Sequence, residues 1–186
     1  MPGVVALELV LARTAAVAVC VTRVAAYPTG FELEVVSFAP DGGEDLDPFF
    51  MARRRRPSGG DDDALRFGVQ FSDGERATNL GSHRPPGLGG EPQGPILTSH
   101  GGGGGGGHWR QHFWIWPLPP PGPLALVCEW PAVSLPLTRH ELDAQPIIAA
   151  ASRAREIFPP GDEGGGARRT TYAPGARVLR SDFSER

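Results

Sequence analysis

The sequence predicts a mainly β fold: an antiparallel β-sandwich, jelly-roll-like, of about seven or eight strands, with one C-terminal α-helix. Three observations carry this. Apolar and polar residues alternate with a period of two in segment after segment. Those segments are rich in valine and aromatics and are separated by Gly/Pro clusters. Only after Pro131 does the period become helical, in an alanine-rich stretch.

In chain order, residues 4–12 alternate with Val5, Leu7, Leu9 and Leu11 on one side and form a first strand. Residues 14–25 follow as a second, with Val17, Val19 and Val21 sharing a face. Tyr27-Pro28-Thr29-Gly30 is a turn, proline suiting its second position and glycine a later one with positive φ. A third strand over 31–39 points Phe31, Leu33 and Val35 inward and Glu32 and Glu34 outward. Residues 40–63 break the pattern with an acidic piece, the apolar island Phe49-Phe50-Met51, Arg53 to Arg56 and Asp61 to Asp63, and are expected to be an irregular loop. Leu65, Phe67, Val69 and Phe71 then alternate cleanly. Ser72-Asp73-Gly74-Glu75 makes a hairpin turn into a return strand over 76–79. A second irregular loop is expected over 81–107, interrupted only by a short strand at 96–99 and ending in seven consecutive glycines read as a mobile hairpin connection.

Residues 101–131 hold all four tryptophans and are expected to form the central hairpin. An aromatic strand runs over 108–116, with Trp109, Gln111, Phe113 and Ile115 on one face and His108, Arg110, His112, Trp114 and Trp116 on the other. A polyproline connector over 117–123 leads to a last long strand with Leu124, Leu126, Cys128 and Trp130 inward. A helix is expected over 143–158, with Asp143 as N-cap and Pro146 in its first turn. A rival start is the capping box Thr138-Arg139-His140-Glu141. The layout is one domain over 1–158 followed by a disordered tail over 159–186.

Composition narrows function more than it defines it. Glycine (26) and proline (20) make about a quarter of the chain but are clustered, so an ordered domain with irregular insertions is expected. The net charge of −3 argues against a nucleic-acid-binding face. Glu8, Arg13 and Arg23 interrupt the apolar N-terminus, so no run reaches the roughly 18 residues of a membrane span. No membrane partner and a cytoplasmic location are therefore expected. Cys20 and Cys128 lie in different strands and read as two reduced, buried thiols.

The heptaglycine contains GxGxxG but is followed by a strand, and the chain has no lysine for a Walker loop. Among His83, His100, His108, His112 and His140, a strand would separate residues 108 and 112 by about 13 Å, too far to share a zinc ion. No metal, cofactor or catalytic residue is assigned. No Gly-x-Ser-x-Gly elbow is present, and Cys128 falls on an apolar face, which leaves a hydrolase as the weakest reading. The face that retains a claim to ligand binding carries Trp114, Trp116, Arg110, His112 and His108. Two tryptophans about 7 Å apart on one face could stack on a sugar or peptide, but the favoured expectation is that the C-terminal helix covers this face and makes both tryptophans core. The expected function is a non-enzymatic binding or protein-interaction module that meets an unknown protein partner through its edge strands or aromatic face. A carbohydrate-binding sandwich is the alternative.

The combination Tyr27-Pro28-Thr29-Gly30-Phe31, Arg66-Phe67-Gly68-Val69-Gln70-Phe71-Ser72-Asp73-Gly74, and Trp114-Ile115-Trp116-Pro117-Leu118-Pro119-Pro120 with Trp130-Pro131 resembles a group of uncharacterised small β-rich proteins of high-GC, actinobacterial-type bacteria. The all-arginine basic complement and the single asparagine, Asn79, fit such a genome. The resemblance implies no activity and transfers no functional residue.

Overall fold

The computed structural model describes residues 1–40, 64–80 and 94–157. Within them the chain is mainly β, with two antiparallel sheets and one α-helix. The strands are β1 (Gly3–Arg13), β2 (Ala18–Tyr27), β3 (Gly30–Phe38), β4 (Arg66–Gln70), β5 (Arg76–Thr78), β6 (Ile96–Gly105), β7 (His108–Trp116), β8 (Pro123–Trp130) and β9 (Leu135–Asp143), and the helix is α1 (Gln145–Ala151). One sheet has the order β1-β2-β3-β7-β6 and the other β5-β4-β8-β9. The expectations over 41–63, including Phe49, Phe50 and Arg53 to Arg56, over 81–93 and over 159–186 lie outside the described residues.

The two-residue period places the core where the alternation put it. Phe31, Leu33, Val35, Phe113, Ile115, Leu124, Leu126, Cys128 and Trp130 are all buried, while Glu32 and Glu34 face the other way. Side chains from both sheets and from α1 join in one hydrophobic cluster. Phe67 of one sheet stacks on Phe113 of the other, with centroids 4.8 Å apart and planes 16° from parallel. Such a pair adds to the area it buries because offset stacking suits the ring quadrupoles.

Four expectations about the elements are corrected. The first concerns the glycine run, which is not an irregular connection: residues 101–105 continue β6 and pair with β7 from Gly102↔Gln111 to Gly105↔His108. Only Gly106 and Gly107 form the turn. Both have positive φ (60° and 82°), which a two-residue hairpin of this twist demands and which glycine alone meets without steric cost. The second concerns β7 and β8, which do not form a hairpin but lie in different sheets. Pro117, Pro119, Pro120 and Pro121 have no N–H to continue a ladder, so the chain leaves the first sheet there. The Ser72 hydroxyl donates to the Pro121 carbonyl (2.9 Å) and the Ala144 N–H to that of Gly122 (3.0 Å), fixing the connector to the second sheet.

The third correction is β9, which the sequence reading missed. Its residues Leu-Pro-Leu-Thr-Arg-His-Glu-Leu-Asp include only one that is buried, Leu135, so the apolar alternation that reveals a strand is nearly absent. Pairing with β8, from Pro123↔Asp143 to Trp130↔Leu135, is what holds it extended. The fourth is the helix, which spans Gln145–Ala151 rather than 143–158. Its N-cap is Ala144. Asp143 contributes instead by accepting the Gln145 N–H on Oδ1 (2.9 Å), and Pro146 sits in the first turn as expected.

The position of α1 decides which sheet face stays open. A Cβ on Gly3 would overlap the Ala150 carbonyl, so the helix lies directly on Gly3. Register carries that face across the sheet: Gly3 pairs with Ala26, Ala26 with Phe31, and Phe31 with Ile115, all on the inner side. Trp114 is therefore on the opposite face, which corrects the expectation that the helix covers it. No helix among the described residues is long and apolar enough to cross a membrane.

Candidate functional site

The outer face of the five-stranded sheet is built around two carboxylates. Glu32 and Glu34 are two apart on β3 and so project on the same side, with β2 on one flank and β7 on the other. Glu32 lies opposite Trp114 and Glu34 opposite His112. Each carboxylate is engaged from both flanks. Glu32 meets His112 Nδ1 (3.1 Å), His100 Nε2 (3.3 Å) and Arg23 Nη2 (3.5 Å). Glu34 meets Arg110 Nε (3.5 Å) and Arg23 Nη2 (3.8 Å), and accepts the Thr22 hydroxyl at 2.6 Å.

The hydrogen bond from His100, aided by that from His112, holds the Glu32 carboxyl below its ordinary range against the opposing effect of burial. Depression of a folded-state carboxyl means that its stabilisation is present above the unfolded pKa, near 4.5, and disappears as the pH falls through the folded value. The Glu32→Gln variant is expected to lose about 1 kcal/mol at pH 7. That deficit should vanish on acidification below the carboxylate range. Urea unfolding of both proteins at several pH values checks this, and a deficit independent of pH would show that the charge is not what stabilises.

The five residues singled out from sequence do not act as one group. Arg110 and His112 join the carboxylate cluster. Trp114 sits beside it, its ring edge-on to Tyr27 (5.5 Å, 60°) and over Gly30, where an added Cβ would come within 2.5 Å of the Ile115 carbonyl oxygen and 2.8 Å of the indole. The close approach of the β7 backbone, together with the indole and not a positive φ, is why residue 30 is glycine. Trp116 lines a separate cleft with Phe71, Leu118 and Pro120. His108 stands at the hairpin end near Phe38, ring centroids 6.5 Å apart.

The chemistry of the remaining reactive groups is quiet. Cys20 and Cys128 are free thiols; burial pushes both pKa values up, that of Cys128 to about 11, so the thiolate nucleophile is suppressed. His140 donates from Nε2 to the Leu11 carbonyl (2.8 Å), satisfying a backbone acceptor of the edge strand β1. Among the described residues no group of three or more His, Cys, Asp and Glu is placed to hold a metal ion.

Next to the carboxylate cluster lies the feature that the sequence reading passed over. β6 is the edge of its sheet, and residues 100–106 are exposed. Added Cβ atoms at Gly103 and Gly105 would meet nothing within 4 Å, whereas at Gly102 one would come within 2.8 Å of the Arg110 carbonyl oxygen and at Gly104 it would overlap that of His108. The backbones of β6 and β7 therefore approach too closely for side chains at alternate positions. Because β6 contributes no side chains there, Arg110 of β7 remains half exposed (51 %) behind the edge. A signal for this was available: a two-residue turn uses only two of seven glycines, leaving five free to pair.

Comparisons with protein-family models, with curated proteins and with solved structures return no match.

Proposed function

We propose that the protein is a non-enzymatic protein-interaction module, a sandwich-like pair of sheets that takes a partner by strand addition along β6. The common hydrophobic cluster of the two sheets supports the sandwich arrangement. The observation that carries the binding reading is the exposed edge itself. Edge strands are ordinarily blunted by charge, proline, bulges or cover, because their unpaired N–H and C=O groups template another strand. Over residues 102–105, β6 has no side chain to blunt it, and among the described residues no strand pairs with its outer side. Main-chain hydrogen bonds would supply the affinity of such a contact, and Arg110 and His108 behind the edge would meet the partner's side chains. A sugar platform has no comparable support, since Trp114 and Trp116 are engaged with different neighbours.

The test is selection of linear peptides from a displayed library against the whole protein, followed by amide hydrogen exchange of the complex. Binding peptides are expected to slow exchange at alternate residues of 101–105 and to shift the Arg110 resonance. Peptides that protect a different surface, or none that bind, would sink strand addition.

A further inference from the structure

A second surface, on the other sheet, has the make-up of a small-ligand site. The outer face of β5-β4-β8-β9 contains a cavity of about 470 Å3, within the ordinary range for small molecules. Gly68 lies opposite both Val127 of β8 and Thr78 of β5 and adds no side chain to the floor, so Thr78 packs close over it, where an added Cβ would come within 3.1 Å of the threonine methyl. Two leucines wall the cavity while remaining unusually open to solvent, Leu137 at 68 % and Leu80 at 43 % exposed. Apolar side chains this exposed, gathered on one concavity, mark a surface that gains by being covered.

Charge at the rim says what covers it. Among the described residues three arginines line the cavity, Arg66, Arg76 and Arg139. Two have carboxylates of their own: Arg66 pairs with Glu129 (3.0 Å), and Arg139 pairs with Glu141 (3.0 Å) and donates to Gln70 Oε1 (2.7 Å). Among the described residues Arg76 makes no ion pair, and the one carboxylate that lines the cavity, Glu129, is already taken. The site therefore offers an apolar floor, apolar walls and one uncommitted guanidinium. We propose that it binds a small apolar monocarboxylate, the hydrocarbon body over Gly68 and Val127 between Leu80 and Leu137 and the carboxylate on Arg76. A guanidinium fork suits this partner because it donates two parallel hydrogen bonds to one carboxylate.

The probe is decanoate, titrated into the full chain by calorimetry and by amide chemical-shift mapping, with decanol and decyltrimethylammonium as neutral and cationic controls of the same chain length. Decanoate is expected to bind at least tenfold more tightly than decanol and the cation more weakly still, with shifts at Gly68, Thr78 and Val127. Arg76→Gln should bring decanoate down to the affinity of decanol without changing decanol binding. Leu137→Asp should abolish both. Both positions are exposed, so the fold should survive, and unchanged amide spectra of the unliganded variants check it. Equal affinity for the three probes, shifts confined to other surfaces, an unaltered decanoate-to-decanol ratio in Arg76→Gln, or no binding at all would each overturn the proposal. So would a concentration-dependent dimer that buries Leu80 and Leu137 and excludes decanoate.

Discussion

Gly104→Val is expected to destabilise the protein by about 2–4 kcal/mol and to release β6 from β7, while Gly103→Val is tolerated. One residue separates the two positions, yet they differ in kind. At residue 104 a Cβ overlaps the His108 carbonyl, a backbone atom that cannot rotate aside, whereas at residue 103 it meets nothing within 4 Å. At residue 103 a β-branched side chain suits an extended strand, and the unfolded chain loses the excess freedom of glycine, so a gain of about 0.5 kcal/mol is the expected sign. Urea unfolding monitored by tryptophan fluorescence reads both. Equal, near-zero effects would mean that the glycines connect two strands rather than pair with one, and the proposed binding edge would go with them.

Phe113→Ala should be the costliest single truncation between the sheets, at roughly 3–5 kcal/mol. Phe113 is fully buried and stacks on Phe67 across the inter-sheet core, so its removal leaves a cavity lined by residues that both backbones hold in place. A double-mutant cycle with Phe67→Ala should return a coupling of about 0.5–1.5 kcal/mol. A loss below about 1 kcal/mol, or additive effects, would show that the two sheets do not depend on this contact.

Much of the fold was legible because strands buried on one face advertise it. The alternation Phe31, Leu33, Val35 against Glu32, Glu34, and the inward set Leu124, Leu126, Cys128, Trp130, are burial patterns written at a period of two. The Asp73-Gly74 turn was legible for a different reason: it needs positive φ at Gly74, which is 92°. The two misread stretches share a cause. Residues 101–105 have no side chains and β9 buries almost none, so neither has a hydrophobic pattern to read, and both are strands only because a neighbour supplies a ladder.

The candidate sites divide along the same line. Arg110, His112 and Trp114 could be put on one face by counting, but nothing local indicates that Glu32, eighty residues away from His112, lies beside it and draws His100 in from β6. Nor does sequence spacing reveal the cavity on the second sheet, whose lining is assembled when β5 and β8 bring Thr78 and Val127 to either side of Gly68.

What the sequence by itself determined is the set of strands with one buried face, the side each presents to the core and the tight turns, all of which depend on a residue and its neighbours at i ± 2. Only the tertiary structure decided which strands pair, that β7 and β8 part into different sheets, that α1 leaves the outer face of the first sheet open, and that a run of glycine is an edge rather than a loop. Pairing is a non-local choice: a backbone ladder takes any residue with an N–H and a C=O, so partner, register and exposed edge follow from the packing of the whole chain.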